Sequence, residues 1–107
     1  MQTESKVTEY KDYCVFCGKI VFGQQHHLLF GQGIRPLAEA DGIKVPICND
    51  CHTSGRVAER IHDNPMAEKL SKMFGQSIWE RNYIAENGGS IENARAKFIR
   101  RYGKSYY

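Results

Sequence analysis

The chain has 107 residues, of which 15 are Lys or Arg and 12 are Asp or Glu, and its formal net charge is +3. This length allows one domain and excludes two that would each be stable alone. No apolar run approaches the roughly eighteen residues of a membrane span, and the N-terminus is too polar for a signal peptide. We therefore expect a single cytoplasmic domain that does not enter a membrane.

Basic side chains are concentrated near the C-terminus. Residues 88–107 have a net charge of +4, because they contain five basic side chains and the single acid Glu92. The remaining 87 residues therefore have a net charge of −1. Such a cluster favours a polyanionic partner, and a solvated helix face is the alternative. The five residues are Arg95, Lys97, Arg100, Arg101 and Lys104.

The N-terminal segment, residues 1–12, is charged and lacks a clear hydrophobic period. It predicts a flexible arm that is loose or weakly docked. A single domain then covers residues 13–107. We divide this domain into a core, residues 13–64, which contains all the cysteines and histidines, and a helical extension, residues 65–107.

The four cysteines form two CxxC pairs that are separated by thirty residues: Cys14 with Cys17, and Cys48 with Cys51. In a chain without export signals this pattern favours a metal over disulfides, because cytosolic thiols stay reduced and a tetrahedral ion accepts two close pairs of thiolates. Gly18 allows the first knuckle to turn tightly. We predict one structural Zn²⁺. Two redox-active pairs or four buried thiols are the alternative.

The segment around two adjacent histidines, KIVFGQQHHLLF, is rich in β-branched and aromatic residues. It predicts strands that lead up to His26 and His27. GIKVPIC predicts a second short strand, which Pro46 places at a sheet edge or near the strand end. The intervening GQGIRPLAEADG is predicted to be a loop that is too long for a tight hairpin.

The second half of the chain predicts helices. Asn64 followed by Pro65 is typical of a helix start. Apolar residues then recur at helical spacing and predict a stripe that faces the core, with Gly75 marking a kink or a break into two helices. NGGS ends this segment, and Ser90 is expected to cap a last helix. The stripe comprises Leu70, Met73, Phe74, Ile78, Trp79, Tyr83 and Ile84, and the last helix has Ile91, Ala94, Phe98 and Tyr102.

All four histidines, His26, His27, His52 and His62, lie within or just beyond the cysteine framework. A surface or core imidazole is the ordinary alternative for one histidine, but a cluster is typical of metal binding or catalysis. Neighbouring side chains on a regular strand point to opposite faces, so His26 and His27 are not expected to bind one ion. One of them can bind a metal while the other takes a proton from water.

Taken together, these motifs resemble those of the HNH endonucleases of the ββα-metal type. The similarity rests on the CxxC pairs, the double histidine after a strand, CNDCH opening a helix, and the histidine in IHDNP. It covers roughly residues 13–84 and is closest to the small HNH proteins common in phage genomes, while the double histidine is also similar to that of colicin-type DNases. The resemblance implies an α+β fold with a small zinc-stabilised, treble-clef-like ββα-metal core and additional C-terminal helices.

The resemblance also implies a function: a metal-dependent DNA endonuclease that hydrolyses phosphodiester bonds with one metal and a histidine general base. His27 becomes the base, and His26, His52 and His62 become ligands of a catalytic divalent metal (Mg²⁺, Mn²⁺, Ni²⁺ or Zn²⁺) that is separate from the cysteine-bound zinc. DNA is the expected partner. For a phage-encoded chain, the host cytoplasm and other phage DNA-processing or packaging proteins are the expected setting. Predicted DNA contacts are Arg35, Arg95, Lys97, Arg100, Arg101 and Lys104.

Two features depart from the family pattern. HNH families commonly use an asparagine to orient the base, but residues 28–47 contain none, so that a backbone carbonyl or Gln32 would have to serve. Nine residues separate His52 from His62, whereas colicin-type enzymes place these ligands about one helical turn apart. An unbroken helix would separate them by about 15 Å, which is too far for one ion. Either the chain loops back near Gly55, or one of the two histidines is not a ligand.

Two other functions compete with the nuclease. The first is a zinc-stabilised nucleic-acid-binding module with weak or no catalytic activity, which the missing asparagine favours. The second is a protein-interaction zinc finger in which the histidine pair is incidental.

Overall fold

Residues 3–107, the part of the chain that this computed structural model describes, form a two-stranded sheet and three α-helices. The α+β class predicted from the sequence is therefore confirmed. A π-helical turn, Asp50–Ser54, and a 3-10 turn, Val57–Glu59, connect the sheet to the longest helix. The elements are β1 (Gln25–His27), α1 (Arg35–Asp41), β2 (Lys44–Pro46), α2 (Pro65–Asn87) and α3 (Ile91–Tyr102).

The sheet carries the two adjacent histidines. β1 and β2 pair antiparallel, with His26 opposite Val45 and His27 opposite Lys44. Each strand is three residues long, and both strands lie within the segments that predicted them. The pairing brings the histidines beside the segment that leads into the second CxxC.

The connection between the strands contains a helix where the sequence predicted a loop. Pro36 occupies the first turn of α1, and Gly42, with φ +71°, ends the helix by donating its N–H to the carbonyls of Ala38 and Glu39. Ala38 is fully buried in the main core. The loop prediction is wrong over Arg35–Asp41, because seven residues are too few to show a helical period and tertiary packing stabilises the helix instead.

The N-terminal segment, expected to be a flexible arm, docks beside α1 and β2 over its described part. Ser5 Oγ donates to the carbonyl of Lys44 (2.6 Å), and the Lys6 N–H donates to the carbonyl of Gly42 (2.8 Å). Val7 packs against the main core. The docking depends on hydrogen bonds to backbone carbonyls, which leave no periodic signal in the sequence. Residues 1 and 2 of the expected arm lie outside the described residues.

The longest helix, α2, begins where the sequence predicts. Asn64 caps its first turn and Pro65 occupies the first position. The helix runs without a break for 23 residues, so the predicted division into two helices at Gly75 is wrong. A Cβ at Gly75 would lie 2.9 Å from Cγ of Leu29 and 3.0 Å from Cβ of Leu28. The glycine therefore serves close packing of α2 on the residues that follow β1.

The apolar stripe predicted on α2 is core only in part. Ile78 is buried and Trp79 packs against the main core, but Leu70 and Phe74 are 66% and 48% exposed. The latter two border an apolar groove beside the first CxxC, which no other part of the described chain fills. Within residues 3–107, no helix is both long enough and apolar enough to span a membrane.

The last helix, α3, follows the predicted pattern. Ser90 Oγ accepts a hydrogen bond from the N–H of Asn93, and the helix buries Ala94, Phe98 and Tyr102 against the rest of the fold. These three residues complete a core that also includes residues from β2, α1, α2 and the segment after β1. Its buried members are Leu28, Leu29, Ala38, Ile43, Val45, Ile78, Phe98 and Tyr102.

Candidate functional site

The four cysteines come together in space. Their sulfur atoms all lie within 4.8 Å of one another. Directly after the first CxxC, the Gly18 N–H donates to the carbonyl of Cys14 (2.9 Å). Gly18 has a φ of +79°, a left-handed conformation that glycine adopts without strain. The N–H groups of Phe16 and Cys51 point at the sulfurs of Cys14 and Cys48. The four residues predicted to bind zinc can therefore hold a structural metal such as zinc.

The charge state of this cluster also suits a cation. Burial opposes ionisation of Cys14, but the backbone N–H groups of Cys48, Cys17 and Phe16 outweigh it and lower the pKa of the thiol to about 6. Burial and the neighbouring thiols raise the pKa of Cys51. The four sulfurs cannot all ionise unless a cation balances their charge, and a tetrahedral zinc ion meets that condition.

Three of the four histidines form a second cluster. His26 lies on β1, His52 directly follows Cys51 in the π-helical turn, and His62 precedes α2. One ring nitrogen of each lies within 4.8 Å of the others, and the ring centroids are 4.6 to 5.2 Å apart. Three imidazoles in this arrangement can bind one divalent ion and leave a coordination position open, as in catalytic zinc sites.

The chain between His52 and His62 returns on itself. The His62 N–H donates to the carbonyl of His52 (3.1 Å). Gly55 lies at the return, where its N–H donates to the carbonyl of Asp50 (3.0 Å) and where a Cβ would lie 2.4 Å from that oxygen. Of the two alternatives that the sequence left open, the structure shows the loop, because the π-helical turn ends at Gly55 and does not continue as a helix.

Hydrogen bonds orient two of the clustered imidazoles. His26 Nε2 lies 2.8 Å from Ser71 Oγ, and Ser71 donates its own proton to the carbonyl of Leu28 (2.9 Å). Nε2 of His26 is therefore the donor, and Nδ1 keeps the lone pair. His62 Nδ1 lies 3.3 Å from the carboxylate of Glu68, which leaves Nε2 free to bind a metal. Metal-binding histidines commonly donate their other ring N–H in this way.

Burial favours the neutral form of two of these histidines, His26 and His52. His26 is 1% exposed, and burial, with repulsion from His52 and His62, lowers its pKa to about 3. Burial also lowers the pKa of His52. Neutral imidazole is the form that binds metals, so these side chains are in the ligand state at neutral pH.

His27 faces α1 instead. Its Nε2 lies 2.8 Å from Oε1 of Glu39, and its Nδ1 accepts a hydrogen bond from Arg35 Nε (3.3 Å). An ionised carboxylate can only accept, so Nε2 carries the proton and Nδ1 has the lone pair. The other oxygen of Glu39 accepts from Lys44 Nζ (2.8 Å), and the Lys44 side chain is 1% exposed.

Glu39 is thus the group that holds His27, in place of the backbone carbonyl or Gln32 considered from the sequence. Hydrogen bonds from Lys44 and His27 lower the pKa of Glu39 to about 2. The side chain is therefore a carboxylate throughout the neutral range. Gln32 is exposed and belongs to the turn before α1.

One cavity joins the two histidine environments. It has a volume of about 270 Å³, and His26 and His27 both border it although they contact different helices. The rest of its wall is Gln25, Phe30, Gly31, Arg35, His52 and His62. A larger groove of about 550 Å³ lies beside the first CxxC, but no titratable side chain lines it, so the histidine cavity is the candidate site.

The basic residues predicted to contact DNA separate into three groups. Arg35 borders the cavity. Arg95 and Arg101 form ion pairs with Glu80 (3.0 Å) and Asp41 (2.6 Å), so their charges are balanced within the fold. The third group forms no ion pair with any residue in the range 3–107 and comprises Lys97, Arg100 and Lys104.

Four residues that support the histidines were not predicted from the sequence: Glu39, Lys44, Glu68 and Ser71. No motif identifies the two carboxylates or the serine: Ser71 and Glu39 are 45 and 12 residues from the histidines that they contact, and Glu68, six residues after His62, is part of no recognised pattern. Lys44 did carry a signal. A lysine inside the apolar strand GIKVPIC requires a buried partner, and an antiparallel pairing with β1 places it opposite His27.

No family model, curated protein or solved structure matches this chain. Function is therefore inferred from the residues of the site.

Proposed function

We propose that this protein is a metal-dependent DNA endonuclease of the HNH, ββα-metal type, which hydrolyses phosphodiester bonds with one divalent metal and His27 as the general base. The observation that carries the proposal is the shared cavity. In it, a histidine held by a carboxylate lies beside three clustered histidines that can bind a metal. Phosphodiester hydrolysis needs both an activated nucleophile and a cation.

The residues present fit a transition metal. His26, His52 and His62 would hold it, and imidazole nitrogens suit Zn²⁺ or Ni²⁺ better than Mg²⁺, which prefers oxygen ligands. When bound there, the cation would stabilise negative charge on the phosphate and on the leaving oxygen. We expect metal titrations to rank Zn²⁺ and Ni²⁺ above Mn²⁺, and Mn²⁺ above Mg²⁺.

His27 supplies the base in this proposal. The Nε2–H of His27 donates a hydrogen bond to Glu39, so the lone pair of the imidazole lies on Nδ1. Nδ1 takes a proton from water as the water oxygen bonds to phosphorus and the bond from phosphorus to the leaving sugar oxygen breaks. The adjacent carboxylate of Glu39 stabilises the imidazolium that forms.

Arg35 connects substrate binding to this base. Its guanidinium donates to His27 Nδ1 at 3.3 Å, and the residue is exposed at the rim of the cavity. A phosphate in the cavity offers the guanidinium two charged oxygens, which are stronger acceptors than an imidazole nitrogen. Movement of Arg35 to the phosphate would position the substrate and release the lone pair of His27.

Alanine variants of the adjacent histidines test the division of roles. His26→Ala removes a ligand, so it should weaken binding of the second metal and abolish plasmid cleavage. His27→Ala keeps all three ligands, so it should bind divalent metal and DNA normally and keep its zinc and its Tm. Its cleavage rate should fall roughly a hundredfold to ten-thousandfold, the usual contribution of a positioned base. Calorimetric metal titration and plasmid nicking measure these effects.

Gln32→Ala is the matched control, because Gln32 is exposed and lies outside the cavity wall. It should cut at the wild-type rate. Identical behaviour of the two histidine variants, or wild-type cleavage by His27→Ala, would contradict the assignment. DNA binding without cleavage by the wild-type protein would favour the catalytically inactive zinc-stabilised binding module, and absence of DNA binding would favour the protein-interaction zinc finger.

A further inference from the structure

A lysine on α2 lies next to the wall of the histidine cavity. Lys72 Nζ is 4.6 Å from the centroid of the Phe30 ring. Phe30 borders the cavity and packs on His62 with ring centroids 4.9 Å apart. One aromatic ring therefore separates this ammonium group from the candidate metal ligands.

The C-terminal tail adds a second lysine to this surface. Lys72 Nζ is 5.7 Å and Lys104 Nζ is 5.3 Å from the centroid of the same ring, that of Tyr106. The face of an aromatic ring attracts a cation, so both side chains are partly ordered by the protein. We call Lys72 and Lys104, with the rings of Phe30 and Tyr106, the lysine track.

Buried polar contacts fix the tail in this position. Gln76 on α2 is fully buried, and its Oε1 accepts a hydrogen bond from the N–H of Tyr106 (2.7 Å). Its Nε2 donates to Ser105 Oγ (3.0 Å) and to the buried carboxylate of Glu80 (2.9 Å). Because these bonds tie the tail to α2, Tyr106 and Lys104 stay beside Lys72.

The two ammonium groups are available to an outside partner. In the described range 3–107, neither Lys72 nor Lys104 takes part in a salt bridge. Glu68 lies one helical turn before Lys72, but its carboxylate accepts from the N–H of Asp63 (3.2 Å) and lies against His62 Nδ1 (3.3 Å). The positive charges of Lys72 and Lys104 are therefore not balanced by an acidic side chain within residues 3–107.

We propose that the lysine track binds backbone phosphates of the DNA strand as it leaves the cavity, with Lys72 nearer the scissile bond and Lys104 farther from it. This inference rests on the proposed nuclease function, because it takes the histidine cavity as the point of cleavage. One strand of a duplex carries a phosphate about every 3.4 Å along the axis, so ammonium groups that share one aromatic ring suit nearby phosphates of one strand.

Fluorescence anisotropy of a labelled duplex DNA tests the track. The protein is the His27→Ala variant with zinc and Ni²⁺ bound, because this variant is expected to bind without cutting. A lysine that contacts a phosphate contributes about one unit to the slope of log affinity against log salt concentration. Adding Lys72→Ala and Lys104→Ala should therefore reduce the slope by about two units, while Lys72→Arg with Lys104→Arg should keep it.

The matched control is Lys6→Ala with Arg81→Ala, which removes the same charge from exposed positions that are not among the predicted DNA contacts. Neither residue borders the histidine cavity, so the slope should change by less than about one unit. Equal reductions in the two double variants would show diffuse attraction and would overturn the track. An unchanged slope in the Lys72 and Lys104 double alanine variant would overturn it as well.

Plasmid cleavage by the wild-type protein is measured separately. If the wild-type protein cuts DNA but the track variant binds with an unchanged slope, the track is wrong and the nuclease function stands. If the slope falls by about two units but the wild-type protein does not cut, the track stands as a DNA-binding surface and the nuclease function is wrong. Absence of DNA binding would overturn both.

Discussion

Glu39 connects the core of the protein to the cavity. One carboxylate oxygen accepts a hydrogen bond from the buried ammonium of Lys44, and the other accepts from His27. Burying an ammonium group is costly unless it is paired, so this ion pair supports folding. The same pair keeps Glu39 ionised and fixes its orientation, which a carboxylate that positions a histidine base requires.

Substitution of Glu39 separates these two roles. Glu39→Gln leaves Lys44 buried without its counter-charge, and we expect a loss of about 3 kcal/mol in the free energy of unfolding. Adding Lys44→Met removes the buried charge and should restore most of the Tm. Cleavage should fall about 10- to 100-fold in both variants, because neither has a carboxylate beside His27. Calorimetry and plasmid nicking measure the two effects.

Metal titration is the control for this pair of variants. The three-histidine cluster does not include Glu39, so the affinity for the second metal should be unchanged in both. If cleavage recovers together with the Tm in the double variant, Glu39 acts only through stability and does not position His27.

At the scale of elements, α2 serves the core and the site together. Its first two turns place Glu68 against His62 and Ser71 against His26. Farther along the helix, Ile78 is buried in the main core. Gly75 lies between these regions, where the helix packs closely on Leu28 and Leu29 after β1. A shift of α2 at this point would move the hydrogen-bond partners of two candidate ligands.

Gly75→Ala tests this packing. Alanine is the better helix former by about 1 kcal/mol. We nevertheless expect a net destabilisation of about 1–3 kcal/mol, since overpacking a core costs that much and fully buried Leu29 has little room to move. Lys69→Ala, at an exposed position of the same helix, is the control and should stay within about 0.5 kcal/mol of wild type. A higher Tm for Gly75→Ala would refute the close approach.

At the scale of the whole molecule, the first half of the chain depends on the cysteine cluster. Only six residues of residues 13–64 lie in strands, and a small apolar cluster surrounds the sulfurs. This cluster comprises Val21, Ile47 and Ile61 with the buried cysteines Cys14 and Cys48. Because His52 directly follows Cys51, a metal at the cysteines would also position a candidate ligand of the histidine cluster.

Zinc removal should therefore unfold this half and abolish metal binding at the histidines. A structural zinc site contributes about 10 to 16 kcal/mol in small peptides, as much as the net stability of a whole domain, about 5 to 15 kcal/mol. Serine at Cys14, Cys17, Cys48 or Cys51 should have the same effect. Circular dichroism with a chelator and elemental analysis measure it.

Thr53→Ser is the control for the cysteine variants, because Thr53 is an exposed residue of the π-helical turn. It should keep the Tm of the wild-type protein. A zinc-free protein that is folded after purification under reducing conditions, or a folded variant with serine at all four cysteines, would contradict the prediction.

The sequence by itself determined the features that depend on neighbouring residues. The CxxC pairs, the cap formed by Asn64 and Pro65 at the start of α2, and the cap at Ser90 are each contained within a few positions. β-branched composition located β2 but only the neighbourhood of β1, because Ile20 and Val21 lie before that strand, which itself has no β-branched residue. Predictions from neighbouring residues were wrong where tertiary packing determines the structure. α1 was predicted to be a loop, and Leu70 and Phe74 were predicted to be buried in the core.

Only the tertiary structure decided how the histidines are combined and supported. The return at Gly55 brings His62 to His52, and antiparallel pairing with docking of α1 brings Glu39 to His27. The tail that places Lys104 beside Lys72 is held by hydrogen bonds to a buried glutamine. Each of these contacts joins residues that are distant along the chain, and its free energy depends on burial and geometry that exist only after folding.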